Sequence, residues 1–333
     1  MSAQTLKRQF AMEDIPMLLF RDAREKWPFV IAGVLVLVLA CGSARAESPH
    51  HQKSFSSPHA AVKAMAAAVK ADDTKELIRI FGPGSKRIVL SGDPVEDKEG
   101  RQRFVKRYEE KHRLEEVSGK ATLYTGNDEW PFPIPIVKAG NRWRFDAKAG
   151  REEILARRVG RNELNTIQVC LAYVDAQKEY AMAKGREGKG LREYAQRFLS
   201  SPGTHDGLYW PAKEGEEQSP MGPLFAAAKE RGYGDEPFGG EPAPYHGYFY
   251  RILTSQGKDA PGGARSYMVG DKMIGGFAMV AYPAKYGASG VMTFMVNQDG
   301  IVYQKDLGRQ TREAALAVDS FDPDKTWARV KEP

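Results

Sequence analysis

The chain has 333 residues, 42% apolar and 28% charged, enough for two ordinary domains with their own cores once a targeting segment is set aside. Its 49 basic and 43 acidic residues leave a formal charge of +6, and the two signs alternate, as in EDKEGRQRFVKRYEEKHRLEE, so no basic stripe of the kind that grips nucleic acid is present. The sequence holds no H-E-x-x-H, Cys-x-x-Cys, P-loop or dinucleotide signature, and neither a metal nor a cofactor is expected.

In chain order, the first feature is a leader over residues 1–46. A basic flank precedes the uncharged run WPFVIAGVLVLVLA, Trp27 to Ala40, which is shorter than the roughly 20 residues that span a bilayer. Small residues at Ala44 and Ala46 fit signal-peptidase cleavage before Glu47. The alternative is lipidation of Cys41 in Val38-Leu39-Ala40-Cys41. Either way the address is export, to the periplasm or to a membrane tether in the cell envelope. Cleavage after Ala46 leaves Cys170 as the sole cysteine.

The first domain is expected over 54–149. Ser57 as a cap and Pro58 at the first helical position open a helix with Ala61, Val62, Met65 and Val69 facing inward. A second helix runs from Asp73 to Phe81 and stops at Gly82-Pro83-Gly84. A charged helix is expected over Asp97 to Glu116, with Phe104, Val105 and Tyr108 on its inner side. Strands follow at Lys120 to Thr125 and Asn141 to Asp146. Between them, WPFPIP from Trp130 to Pro135 reads as an edge, because proline cannot donate to a ladder. Helices followed by curved antiparallel strands resemble the NTF2-like or cystatin-like superfamily. In its enzymes a pocket acid and a histidine carry catalysis, for which Asp93, Asp97, His112 and Asp128 are the residues present.

Next come a connecting helix over 150–161 and a second domain over 162–318. Ile154, Leu155 and Val159, then Leu164, Ile167, Leu171 and Val174, follow helical spacing on either side of Gly160. The spacing predicts two helices, the second capped by Asn162. A break at Gly188-Lys189-Gly190 and a short helix around Tyr194-Ala195 are expected next. After a further helix in GPLFAAAKERGYG, strands are expected at Gly247–Thr254, Gly276–Tyr282, Gly290–Asn297 and Ile301–Lys305. Asp299-Gly300 is the last hairpin turn, and 319–333 is a tail. The whole is α+β.

The helix with Ala172-Tyr173 and Gln177 to Tyr180, then GYFYR, FAMVAYP, GASG and Thr293-Phe294 to Ile301, resembles the heads of type IV pilin-like and pseudopilin-like proteins. That resemblance implies a long helix packed on an antiparallel sheet. The prepilin cleavage motif is absent, and about a hundred residues separate the leader from this helix. Over nearly the whole mature chain, FSSPHAAVKAM, GNDEWPFPIPIVK, RRVGRNELNTIQVCLAYVDAQKEYA, SSPGTHDGLYWP, PYHGYFYRIL and GVMTFMVNQDGIVYQKDLG closely resemble the bacterial DUF2950 family. Membership implies an exported envelope protein.

The catalytic candidates are His205, Asp206 and His246, with Glu193 joining them if the histidines converge. A histidine beside an acid is the usual general-base pairing. Cys170 is expected to be buried as a small hydrophobe. Ligand-facing aromatics would be Trp130, Phe132, Tyr209, Trp210, Tyr245 and Tyr248, although alternate members of a strand face opposite sides. The resulting expectation is a non-catalytic binding or assembly protein of the envelope, with a protein, peptide or glycan partner. The alternatives are an envelope hydrolase with a His/Asp site and a periplasmic small-ligand carrier.

Overall fold

Ser57 sets the first turn: its hydroxyl accepts the Ala60 N–H at 3.1 Å, and Pro58 fills the position where a missing N–H costs nothing. The computed structural model describes residues 52–187, 192–213, 215–233 and 243–331. The leader with Cys41, the Gly188 to Gly190 break and Gly234 lie outside them. Among the described residues, several helices and two larger antiparallel sheets make a mixed α/β fold.

Helix α1 (Pro58–Lys70) and α2 (Thr74–Phe81, capped by Asp73) fall where the sequence puts them. After the short α3 (Lys86–Val89), α4 covers Pro94–Glu110 and ends earlier than expected. His112–Val117 is not helical. It is strand β1, paired with β2 (Lys120–Thr125) through Ser118 and Gly119, both at positive φ. That is the sign pattern of the tight two-residue hairpin turn, which fixes the pairing against the helical preference of the charged run. Strands β3 (Trp130–Pro131), β4 (Ile136–Ala139) and β5 (Arg142–Phe145) complete a sheet of order β1-β2-β4-β5, with β3 on β2. Met65, Ile80, Leu123, Ile136 and Phe145 form the core between these helices and the sheet.

The two helices expected around Gly160 are one. Helix α5 runs unbroken for 41 residues, Ala147–Glu187, a span of about 60 Å. Asn162 is therefore not a cap. It is fully buried in mid-helix, and its Nδ2 donates to the Ser289 carbonyl at 2.9 Å. Leu164, read as inward, is exposed, whereas Asn162, Thr166 and Gln177 are buried. Apolar spacing alone could not show this, because the inward face carries polar groups that satisfy neighbouring backbone. The helix joins both cores: Ala147 and Ile154 pack in the first, while Val169, Cys170, Tyr173 and Val174 pack in the second.

Gln177 explains why no helix forms around Ala195. Its Oε1 accepts the Ala195 N–H at 2.9 Å, and its Nε2 donates to the Ala195 carbonyl at 2.7 Å. Tyr194 meanwhile bridges Met273 in extended form. The side-chain amide thus replaces the backbone partners that a helix would supply. Gln177→Leu is expected to strand both groups of buried Ala195 and cost about 2–3 kcal/mol, read as a lower denaturant midpoint with unchanged slope.

Helix α6 (Gly222–Glu230) precedes strand β6 (Tyr248–Leu253). Two short pairs follow: β7 (Ser255–Gln256) with β8 (Arg265–Ser266), and β9 (Met268–Val269) with β10 (Lys272–Met273). Strands β11 (Ala278–Pro283), β12 (Met292–Asn297), β13 (Tyr303–Asp306) and, after helix α7 (Thr311–Leu316), β14 (Ala328–Arg329) complete the second sheet, ordered β14-β13-β12-β11-β6. Residues 328–329, expected in a tail, supply its edge strand.

Cys170 is wholly buried and unpaired, and burial pushes its thiol pKa well up. The native chain should leave it unmodified by a thiol reagent over times that label the denatured chain fully.

Candidate functional site

The site begins at a turn. Tyr245 and Tyr248 bond to each other in both directions, N–H to carbonyl, at 2.9 and 3.1 Å. His246 (φ 52°) and Gly247 (φ 74°) between them both lie in the left-handed region. Two consecutive positive φ values suit the right-handed twist of strands, but histidine at the first is unusual and costs backbone energy. The turn pushes the His246 ring into the start of α4.

That helix start supplies the acids. Asp93 is the N-cap, with Oδ1 accepting the Val95 and Glu96 N–H groups at 3.1 Å. Its Oδ2 accepts the Tyr233 hydroxyl and the Gly247 N–H, each at 2.8 Å. Burial pushes the Asp93 carboxyl above its ordinary value, and the Glu96 and Gly247 N–H groups and the Tyr233 hydroxyl oppose that push. Asp97, one turn on, takes the Ser91 N–H with both oxygens, at 3.0 and 2.9 Å.

Glu96 lies between them, its side chain 3% exposed, with Oε1 3.0 Å from His246 Nδ1. Burial would raise its pKa, but the His246 hydrogen bond and the His246, Arg161 and Arg231 charges outweigh burial and hold the carboxyl at about 2. His246 is pushed below its ordinary value, first by burial. The tautomer that satisfies both neighbours carries its proton on Nδ1, toward Glu96. Nε2 then takes the Arg231 Nη1 donor at 3.0 Å. Arg231, just beyond α6, also forks onto Glu99, with Nε to Oε1 at 2.8 Å and Nη2 to Oε2 at 2.6 Å, and reaches Glu96 Oε1 at 3.2 Å. Burial opposes its charge, but Glu99 and Glu96 prevail and raise its pKa. The cluster thus ties α4, the end of α6 and the Tyr245–Tyr248 turn together, and Arg161 brings in α5.

Gly247 is confined on every side. A Cβ there would lie 2.6 Å from Asn162 Nδ2 and 2.9 Å from Ser289 Cβ, at a φ that L-residues avoid. Gly247→Ala is expected to cost about 2–4 kcal/mol by thermal or chemical denaturation.

The other residues singled out in the sequence lie elsewhere. His205 stacks on Trp210, ring centres 4.1 Å apart, and pairs with Glu217 at 3.4 Å. Asp206 accepts the Ser201 N–H and hydroxyl and the Thr204 hydroxyl, closing its own loop. Glu193 takes Lys272 at 3.0 Å. Among the described residues no hydrogen bond or ion pair joins these three to His246, so the convergence expected of the two histidines is not seen. Asp93 and Asp97 sit at the start of α4, whereas His112 and Asp128 lie by its far end, where Asp128 pairs with Arg107. Thirteen helical residues, Lys98 to Glu110, about 20 Å, lie between Asp97 and His112.

Of the aromatics, Tyr245 and Tyr248 are almost wholly buried and Trp210 nearly so, so their rings serve the core. Tyr209 stacks on Phe225 at 4.0 Å, and Phe132 meets Phe104 edge-on. Trp130 lies under the Arg157 guanidinium, 3.9 Å from its ring centre. Sequence reasoning missed Glu96, Glu99, Arg103, Arg161, Arg231 and Tyr233. The only local signal was Asp93-Pro94-x-Glu96, a cap followed three residues on by glutamate.

The family model "Protein of unknown function (DUF2950)" matches residues 52–330, and the chain belongs to that family. No curated protein and no solved structure matches it. No helix among the described residues is long and apolar enough to cross a membrane.

Proposed function

We propose that this chain is a non-catalytic binding or assembly protein of the bacterial cell envelope. The observation that carries the reading is the state of His246. Its ring is almost fully buried, with Nδ1 on Glu96 and Nε2 on Arg231, and so lacks the free nitrogen that a general base presents to a substrate. His205 and Asp206 are held in a separate loop by partners of their own. The address rests on the leader, with cleavage before Glu47 or lipid attachment at Cys41. The helices packed on the first sheet support an NTF2/cystatin-like origin for that half. The long α5 lying on an antiparallel sheet supports the likeness of the second half to pilin heads. The partner is an envelope protein, peptide or glycan.

A second reading, an envelope hydrolase, draws on the 3.0 Å contact between the Glu96 carboxylate and the His246 imidazole, the pairing that orients a catalytic histidine. A broad hydrolase screen at saturating substrate separates the two. The binding reading expects no turnover; metal-independent turnover that vanishes in His246→Ala or His205→Ala overturns it. Cell fractionation with intact mass tests the address. A soluble species beginning at Glu47 or a lipid-modified one beginning at Cys41 agrees with export, and a full-length cytoplasmic species refutes it.

A further inference from the structure

On the outer side of Glu96 the positive charges outnumber the negative. Arg103 and Arg161 are 46% and 47% exposed, and each brings Nη2 to 3.7 Å from Glu96 Oε2, close for an ion pair and too long for a hydrogen bond. Oε2 is buried and has no hydrogen-bond partner among the described residues, whereas Oε1 takes both His246 and Arg231. A buried carboxylate oxygen without a donor costs free energy unless something outside the fold supplies one.

Arg161 is the least satisfied of the cations. It has no hydrogen bond among the described residues, and the guanidiniums of Arg103, Arg158 and Arg231 oppose its charge while Glu96 favours it. Arg103 spends one nitrogen on Glu99 at 3.2 Å. Around Glu96, Arg103, Arg161 and Arg231 stand with Glu99, and the Arg103 and Arg161 side chains are about half exposed.

Such a place asks two things of a ligand: anionic oxygens for the guanidinium forks, and a hydrogen-bond donor for Oε2. A plain carboxylate has no donor and sets its charge against Glu96, and a phosphate dianion, which keeps one P–OH, sets a second negative charge against it. A metal ion or an ammonium meets three guanidiniums. A carboxylate with a hydroxyl on the adjacent carbon supplies both parts. We propose that Arg103, Arg161 and the Oε2 atom of Glu96 form a receptor for a hydroxycarboxylate, the group found in lactyl compounds and open-chain sugar acids. The carboxylate draws the Arg161 and Arg103 forks onto itself and away from Glu96, which uncovers Oε2, and the hydroxyl donates to it. The proposal rests on the reading of the chain as a binding protein and names the chemistry that it binds.

The test is isothermal titration of the full chain at low ionic strength with lactate and gluconate, against propionate and inorganic phosphate. The expected result is saturable binding of at least one hydroxy acid, about tenfold or more tighter than propionate, the size of one charge-assisted hydrogen bond. Arg161→Gln should weaken that binding about tenfold or more and shift the melting temperature only slightly, because the side chain is half exposed and Arg103 and Arg231 still face Glu96. Arg103→Gln should weaken it in the same direction. Four results overturn the proposal: no saturable binding of either hydroxy acid, propionate bound as tightly as lactate, phosphate bound more tightly than both, or an Arg161→Gln protein that binds as well as the parent. Its failure is separable from that of the binding reading. A chain that binds none of these probes and turns over no substrate remains a binding protein for another ligand, whereas turnover lost in His246→Ala overturns the broader reading.

Discussion

Glu96→Ala is expected to lower the unfolding free energy by about 3–5 kcal/mol, the cost of removing one partner from a buried ion pair. The figure sits high because Glu96 does more than neutralise Arg231. Its side chain is 3% exposed, and its loss takes the acceptor from the His246 Nδ1 proton while leaving Arg103, Arg161 and Arg231 to repel one another. A half-exposed surface pair, such as Arg113 with Glu115, contributes nothing comparable. Urea midpoints of the two proteins decide the matter, and a Glu96→Ala protein within about 1 kcal/mol of the parent refutes it.

The same cluster sets the response to acid. The Glu96 carboxyl is held at about 2 in the fold, against 4.5 as its ordinary value. A depressed carboxyl contributes stability that is complete above about 4.5 and drains away as pH falls toward 2. His246 is also depressed, below 6.5, by burial. The unfolded chain takes up that proton at a pH where the folded chain resists it, so stability starts to fall on acidification below about 6.5. The parent should therefore lose stability in two overlapping stages. Glu96→Gln should keep the earlier stage, owed to burial of the imidazole, and lose the later one. Midpoints measured from pH 8 to 3 show the difference as a flatter curve below about 4.5 in the variant.

Most elements were legible, and the errors share a physical cause. The Ser57-Pro58 start, the stop at Gly82 and the strands from Lys120 and Met292 follow from capping, glycine and alternation, which act locally. The misreadings arose where a distant partner decides. Ser118-Gly119 turned a charged run into a hairpin. Ser289 gave Asn162 a reason to be inside a helix, and Gln177 supplied the backbone partners that kept Ala195 extended. The site was hidden for the same reason. Glu96 sits in a charged helix beside Asp97 and Glu99, and no local property marks which of the three meets His246, 150 residues further on. His246 was among the candidates, but Gly247 read as the start of a strand rather than as half of the turn that presents the histidine.

Asp93→Ala should cost at least as much, about 3–7 kcal/mol, by a different route. One part is the cap: the Val95 and Glu96 N–H groups lose Oδ1, worth about 1 kcal/mol. The larger part is at Oδ2, where the Tyr233 hydroxyl and the Gly247 N–H are both buried and lose their acceptor, at about 1–3 kcal/mol each. Because Gly247 holds the turn that presents His246, the loss does not stop at stability. Releasing its N–H frees a strained backbone to relax, and the His246 ring should leave Glu96. Asp93→Asn separates the two effects. The amide oxygen still caps α4, but its NH2 faces the Gly247 N–H, donor against donor, so the cap survives and the turn does not. The expected pattern is a large loss in Asp93→Ala, a smaller one in Asp93→Asn, and in both a His246 imidazole whose titration moves back up toward 6.5, followed by NMR. A His246 titration unchanged in Asp93→Asn shows instead that Glu96 and Arg231 hold the ring in place without the turn.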